Sequence, residues 1–261
     1  MTQNLDVVIL CGGQGTRLRE ETEFKPKPLV EIGGHPILWH IMKHYRVHGL
    51  RDFILCLGYK GDLIKDFFLN YNAHRSDFTV DLASGAVTSL AHEAGLDWRV
   101  TLADTGVDAL TARRLVLAAK YLRGDTFFAT YGDGISNVDL DALYDHHKRS
   151  GKLATVTAVH PSSRFGELQL DGNVVSTFKE KPQTNEGWIN GGFFVFERRA
   201  LDRVPADTNV ALESGLLEQL AQDGQLSVYR HEGFWQCMDT YREMLLLNEM
   251  WQEGNAPWKT W

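Results

Sequence analysis

The chain has little cysteine, no long apolar run and no excess of positive charge. Its three cysteines, Cys11, Cys56 and Cys237, are odd in number and sit mostly in strand-like runs, so they read as buried or free thiols rather than a disulfide framework. No CxxC pair is present, which argues against a cysteine zinc site. No apolar run approaches the roughly 18 residues of a membrane span. The opening MTQNLDVVIL lacks the basic and apolar regions of a secretory signal, so a cytoplasmic protein is expected, with no membrane partner. The net charge of −7 gives no nucleic-acid footprint. Any bound anion must be held by local basic residues.

What is present is an ordinary globular composition, with 43% apolar and 23% charged residues in 261. Strand and helix patterns alternate. Asp6–Leu10, Asp52–Leu57, Trp98–Leu102, Thr126–Tyr131 and Ala154–Val159 read as strands. Pro36–His48, Asp62–Tyr71, Thr111–Leu122 and Asp139–Ser150 read as helices between them. Such alternation predicts an α/β fold: a mostly parallel, Rossmann-like sheet flanked by helices. After Pro161 the pattern changes. GELQLDGNVVSTFKE reads as a hairpin across an Asp-Gly turn, GGFFVFE as a strand, and Leu212–Gln222 and Asp239–Gln252 as helices. No linker or repeat splits the chain. One domain over 1–261 is expected, with residues 1–160 as a nucleotide-binding half and 161–261 as a smaller α+β portion with a C-terminal helix. Asn72–Gly95 fits a β-lid, an oligomer contact or a mobile loop equally well.

The run LCGGQGTR follows the first strand directly. In parallel sheets ligands sit beyond the C-terminal strand ends, so this loop lies where a ligand would. Its glycines allow a tight turn that brings bare N–H groups to a phosphate. Arg17 adds a forked cation. Lys27 adds a point charge on backbone stiffened by Pro26 and Pro28. Neither GxxxxGK[ST] nor GxGxxG is present, and a strand–turn with a basic flank explains these residues equally well. Asp133 follows the strand TFFATY between two glycines, where it reads as a turn residue or a metal ligand. Asp239 precedes a helical run, where it reads as an N-cap or a second ligand.

Read in order, GGQGTRL, KPKPLVEIGGHPILWHIM, GYKG, DTG, YGDG, RFGEL, EKP, WINGGFF, GFWQCMDT and APWKTW resemble the sugar-phosphate nucleotidylyltransferases over essentially the whole chain. KPKP, WINGGFF and MDT together resemble the cytidylyl branch. The resemblance implies transfer of a nucleotidyl group from CTP, or another nucleoside triphosphate, to glucose 1-phosphate with Mg2+. It implies a nucleotide site of Leu10, Cys11, Gly12, Gly13, Gln14, Gly15, Thr16, Arg17, Lys27, Arg114 and Gly132. Asp133 and Asp239 would hold the metal. Glu180, Lys181, Asn190 and Gly191 would take the sugar phosphate. Arg17, Lys27, Asp133 and Lys181 would carry the catalysis. A homo-oligomer is expected.

Departures from the family pattern are confined to a few places. Cys11 stands where alanine is usual, and the chemistry does not need its thiol. After DTG, a serine is replaced by Ala109 and two glycines by Ala112 and Arg113, so the rival substrates are UTP, dTTP or another hexose 1-phosphate. VALESGLLEQL lacks the family's Glu-x-x-Pro-Leu order. A metal-dependent glycosyltransferase would have no reason for GGQGTR with KPKP. A non-catalytic nucleotide-sugar binder would have no reason to keep Lys27, Asp133, Lys181 and Asp239 together. His40, His44 and His48 recur every four residues and read as a polar helix face, with no HExxH to make them a zinc site. His146 and His147 read as helix surface. Trp251, Trp258 and Trp261 crowd the C-terminus and suggest a subunit contact.

Overall fold

The structure is a computed structural model that describes residues 5–89, 96–161, 167–171, 174–179, 187–205 and 207–261. Its centre is a seven-stranded sheet. In chain order the strands are β1 (Asp6–Cys11), β2 (Asp52–Leu57), β3 (Arg99–Asp104), β4 (Thr126–Tyr131), β5 (Ala154–Val159), β6 (Ile189–Glu197) and β7 (Leu226–His231). Their order across the sheet is β7-β5-β6-β4-β1-β2-β3. All neighbours pair in parallel except at β6, which runs antiparallel to both β4 and β5. The expected mostly parallel α/β sheet is therefore what forms. The C-terminal portion adds β6 and β7 to it and also forms a small two-stranded sheet of its own.

Helices α1 (Ile37–Val47), α2 (Gly61–Leu69), α3 (Thr111–Ala118) and α4 (Leu140–Ser150) make the crossovers. Alternate residues of each strand feed opposite faces, as the two-residue strand period requires. Val7 and Ile9 join a cluster with Ile41 and Tyr45 of α1, Leu143 of α4 and Leu247 of α5 (Tyr241–Gln252). Val8 and Leu10 join the other cluster, with Leu115 of α3 and Leu216 and Leu220 of the segment 212–222. That double burial explains the near-continuous apolar runs VVILC and FILCL. The segment 212–222 was expected as one helix. It opens as a π-helix, Leu212–Leu217, and becomes α-helical over Glu218–Gln222.

Smaller elements sit around this frame. The hairpin read from the Asp-Gly turn forms, with Glu167–Asp171 antiparallel to Val174–Lys179. Within Asn72–Gly95, the strands Phe78–Val80 and Val87–Ser89 form an exposed hairpin, and residues 90–95 lie outside the described residues. No helix among the described residues is long and apolar enough to cross a membrane.

Several polar residues are buried where a surface was expected. His40 is wholly buried and His44 nearly so, not on a polar face. For His40 the reason is the C-terminal tail: Trp258 donates to its Nδ1 at 3.3 Å, and Trp251 and Trp261 pack their rings on its imidazole, whereas His44 packs against Tyr45, His48 and Phe193. The aromatic tail thus covers α1 of its own chain. His147 is also buried, held by Thr155 at 2.9 Å and Glu197 at 3.3 Å. His146 bonds Ser227 at 2.9 Å. His48 pairs with Asp141 at 2.8 Å, tying α1 to α4.

Candidate active site

From β1 the chain runs outward through β2 and β3 on one side, then returns to place β4 on the other. The crevice between the C-terminal ends of β1 and β4 is therefore the topological switch point. The glycine loop leaves β1 here, and Gly132 and Asp133 leave β4 beside it. Gly15 has φ +63°, a left-handed turn that a side chain resists, and it leads into the short helix Thr16–Leu18. The Gly12 carbonyl accepts from Arg114 Nη2 at 3.1 Å and from the Tyr59 N–H at 3.2 Å. A planar trans peptide then turns the next N–H, that of Gly13, the opposite way. A Cβ at Gly12 would lie 2.2 Å from the Arg114 guanidinium, so this close packing requires glycine.

Arg114 is a buried brace. Besides Gly12, it donates to the carbonyls of Leu57 at 2.9 Å, Gly106 at 2.8 Å and Val107 at 3.2 Å, and to the Thr105 hydroxyl at 2.6 Å. Its guanidinium ties the glycine loop to the ends of β2 and β3. It reaches the site through the loop it shapes.

The charged centre is built by three separate pieces of chain. Lys27 starts a short helix between Pro26 and Pro28 and is mostly buried. Its ammonium donates to Asp133 Oδ2 at 2.8 Å and to Asp239 Oδ1. Arg17 Nη1 meets the other Asp239 oxygen at 2.8 Å, with most of its side chain in solvent. Burial alone would lower the Lys27 ammonium, but Asp133 and Asp239 outweigh it and hold it above its ordinary value.

What brings the carboxylates together is a small ladder. Gly134–Ser136 pairs antiparallel with Trp235–Cys237, Gly134 opposite Cys237. The Met238 N–H then donates to the Asp133 carbonyl at 2.8 Å. Asp239 is not the helix N-cap. Thr240 takes that role in a capping box with Glu243, which leaves the Asp239 carboxylate to the site. Two carboxylates held on rigid backbone around one positive charge are a hard-oxygen donor set that suits a divalent cation.

Two adjoining cavities meet at this cluster, one of 610 Å³ and one of 280 Å³. Leu10, Cys11, Gly12, Gly13, Gln14, Gly15, Thr16, Arg17, Lys27, Arg114 and Gly132 all line the larger one. Asn190 and Gly191 line the smaller, and Arg17, Asp133 and Asp239 line both. Glu180 and Lys181 lie outside the described residues. The Cys11 thiol is wholly buried, and burial pushes its pKa well up, as expected of a packing residue and not of a nucleophile.

Three lining residues escape sequence reasoning. Tyr131 and Glu213 are hydrogen-bonded to each other and line both cavities. Burial first, then Glu213, raises the Tyr131 hydroxyl, so it stays a donor. Trp235 Nε1 donates to the Gly191 carbonyl at 2.7 Å and fixes the floor of the smaller cavity. Tyr131 and Trp235 each lie within a quoted motif, YGDG and GFWQCMDT, which is the one signal they give. Glu213 lies in the quoted stretch VALESGLLEQL, but its partners Tyr131 and Thr111 are far away in sequence.

Residues 6–249 match the family model described as nucleotidyl transferase. The chain is 48% identical over 258 residues to the glucose-1-phosphate cytidylyltransferase of Salmonella typhi, covering 98% of this chain and 100% of that protein. It is 46% identical over 257 residues to the probable glucose-1-phosphate cytidylyltransferase of Bacillus subtilis, covering 98% and 100%. In architecture it is similar to the crystal structure of HddC from Yersinia pseudotuberculosis complexed with GMP-PN. That match has a TM-score of 0.67 at 22% identity and covers 95% of this chain and 99% of that one.

Proposed function

This chain belongs to the nucleotidyl transferase family, and on that premise we propose that it transfers the cytidylyl group of CTP to glucose 1-phosphate, giving CDP-glucose and pyrophosphate. The observation that carries the reading is the Lys27–Asp133–Asp239 cluster at the junction of the two cavities, in a chain nearly half identical to the Salmonella protein over its length. The larger cavity is the nucleotide's and the smaller the sugar's in this reading. The α-phosphorus then falls where they meet.

A phosphate oxygen of the sugar phosphate attacks the α-phosphorus in line. The bond to the β-phosphate oxygen breaks, and pyrophosphate leaves with that electron pair. No general base is required, because a phosphate monoester is already an anion near neutral pH. Catalysis is then positioning and charge neutralisation. The glycine loop offers N–H groups and Arg17 a mobile cation to the triphosphate. Lys27 holds two carboxylates converged that would otherwise repel each other, and its own charge faces the reacting phosphates. Asp133 and Asp239 would hold Mg2+, which neutralises and orients phosphate oxygens when bound. Lys181 aims the attacking phosphate, and Glu180, Asn190 and Gly191 take sugar hydroxyls. Such chemistry belongs where nucleoside triphosphates are made, in the cytoplasm.

The test is pyrophosphate release with Mg2+ and glucose 1-phosphate, run separately with CTP, UTP, dTTP and ATP. Release with CTP far above the others is expected. Preference for UTP or dTTP would assign the base to another triphosphate, as the Ala109 substitution suggests for a rival. Release with none would overturn the reaction.

A further inference from the structure

Helix α3 begins without a polar cap. Leu110 stands at its N-cap position and supplies no side-chain acceptor. The first N–H groups of any helix need partners from outside it. Here they come from a segment about a hundred residues later. The Val210 carbonyl accepts from the N–H groups of Ala112 at 3.2 Å and Arg113 at 3.4 Å. In return, the Thr111 hydroxyl accepts from the Leu212 N–H at 2.6 Å. Those contacts account for the helix end.

Asn209 reaches further, into the loop ahead of the helix. Its Oδ1 accepts from the Leu110 N–H at 2.8 Å, and its Nδ2 donates to the Asp108 carbonyl at 2.9 Å. One amide side chain thus bridges the two backbone groups that flank Ala109, whose methyl group has no polar atom to organise the loop. The consequence lies on the other side of the loop. Val107 and Leu110 are 55% and 47% exposed, and both line the larger cavity. Aliphatic side chains held out on a cavity wall are a surface that the flat, partly apolar face of a nucleobase covers. Asn209 is not itself among the residues lining that cavity.

We infer that Asn209 is a positioning residue for the nucleotide: its two hydrogen bonds set the Val107–Leu110 wall against which the base of the triphosphate lies. The inference rests on the proposed reaction only for the identity of the nucleotide. The wall itself is a property of the loop. Neither Asn209 nor residues 107–111 line the smaller cavity, so the effect is expected on one substrate and not on the other.

The full chain is compared with Asn209→Ala and Asn209→Asp. The aspartate keeps an acceptor for the Leu110 N–H and loses the donor to Asp108. Asn209→Ala is expected to raise the KM for CTP about tenfold, with kcat and the KM for glucose 1-phosphate within about twofold. Asn209→Asp is expected to fall between the two. Backbone hydrogen exchange over residues 108–112 is expected to quicken in Asn209→Ala while that of β1 and β4 is unchanged. An unchanged KM for CTP, or a fall in kcat with both KM values drifting in step with a lower Tm, would overturn the inference and leave Asn209 a structural cap. Turnover by the unsubstituted chain is measured first. Its absence would count against the reaction, and unaltered exchange over 108–112 would overturn the loop role whether or not the chain turns over.

Discussion

Ion-pair clusters lie at both ends of the central sheet's strands, and the two are built differently. At the N-terminal ends, Asp6 and Asp52 are buried, and both meet Arg123 Nη2 at 2.7 Å; Arg99 closes on Asp52 from the other side at 2.5 Å. At the C-terminal ends, Asp133 and Asp239 share Lys27, with Arg17 on the outer oxygen. Each cluster has two carboxylates and two cations. The first is filled by its own partners and lines neither of the two cavities at the candidate site. The second lies at the meeting of two cavities, with glycines on the adjoining backbone and one cation mostly exposed to solvent. Charge chemistry alone does not tell a brace from a candidate reaction centre. The strand end it occupies, and the open space next to it, do.

Exchanging one carboxylate at each end is the sharpest way to break that comparison. Asp133→Asn is expected to lower turnover at least a hundredfold with the Tm little changed. Asp52→Asn is expected to do the reverse: turnover within a fewfold, and stability down by about 2 kcal/mol, because Arg123 and Arg99 lose a buried partner. Near-normal turnover in Asp133→Asn would remove that carboxylate from the mechanism. A hundredfold loss in Asp52→Asn would erase the distinction between the ends.

Lys27→Ala comes next in size. It removes the cation shared by the carboxylates, and turnover is expected to fall by about two orders of magnitude. Urea unfolding should hardly move, since both carboxylates can regain water from the cavities. A large stability loss with modest loss of turnover would make Lys27 a brace like Arg123.

A smaller effect concerns the two buried histidines of α1. Burial is the main cause that holds His40 down to about 4 and His44 down to about 3, so the fold keeps both neutral. The unfolded chain protonates them near pH 6.5. Between pH 6.5 and about 3 the unfolded state therefore binds more protons. Stability present above pH 6.5 is lost as the pH falls. A loss on the order of 2 kcal/mol per histidine is expected between pH 7 and pH 5 in urea unfolding. Equal stability at the two values would contradict the burial account.

Most of the candidate site is legible in the sequence wherever one local stretch carries it. The glycine loop, Arg17, the proline-flanked Lys27 and Asp133 each announce themselves by their place after a strand or by stiffened backbone. The convergence of Asp133 on Asp239 is not legible in that way. It depends on the ladder between Gly134–Ser136 and Trp235–Cys237, whose strands are a hundred residues apart and too short for a periodic signal. Taken alone, Asp239 reads as a cap, and only the Thr240–Glu243 box shows that another residue has that task. Asn209 is silent for the same reason, since both hydrogen-bond partners of its side chain are distant. His40, His44 and His147 mislead in the opposite direction. A polarity pattern assigns histidine to the surface, whereas a neutral imidazole under tryptophans or between strand and helix packs as an aromatic.

The most direct test of the central claim follows the oxygen of the attacking phosphate. The chain is given CTP, Mg2+ and glucose 1-phosphate carrying 18O in its phosphate, and the products are weighed by mass spectrometry. Attack on the α-phosphorus at the Asp133–Asp239 centre predicts that all of the label appears in CDP-glucose and none in pyrophosphate. Label in the released pyrophosphate, or turnover of CTP that leaves the labelled sugar phosphate untouched, would contradict it.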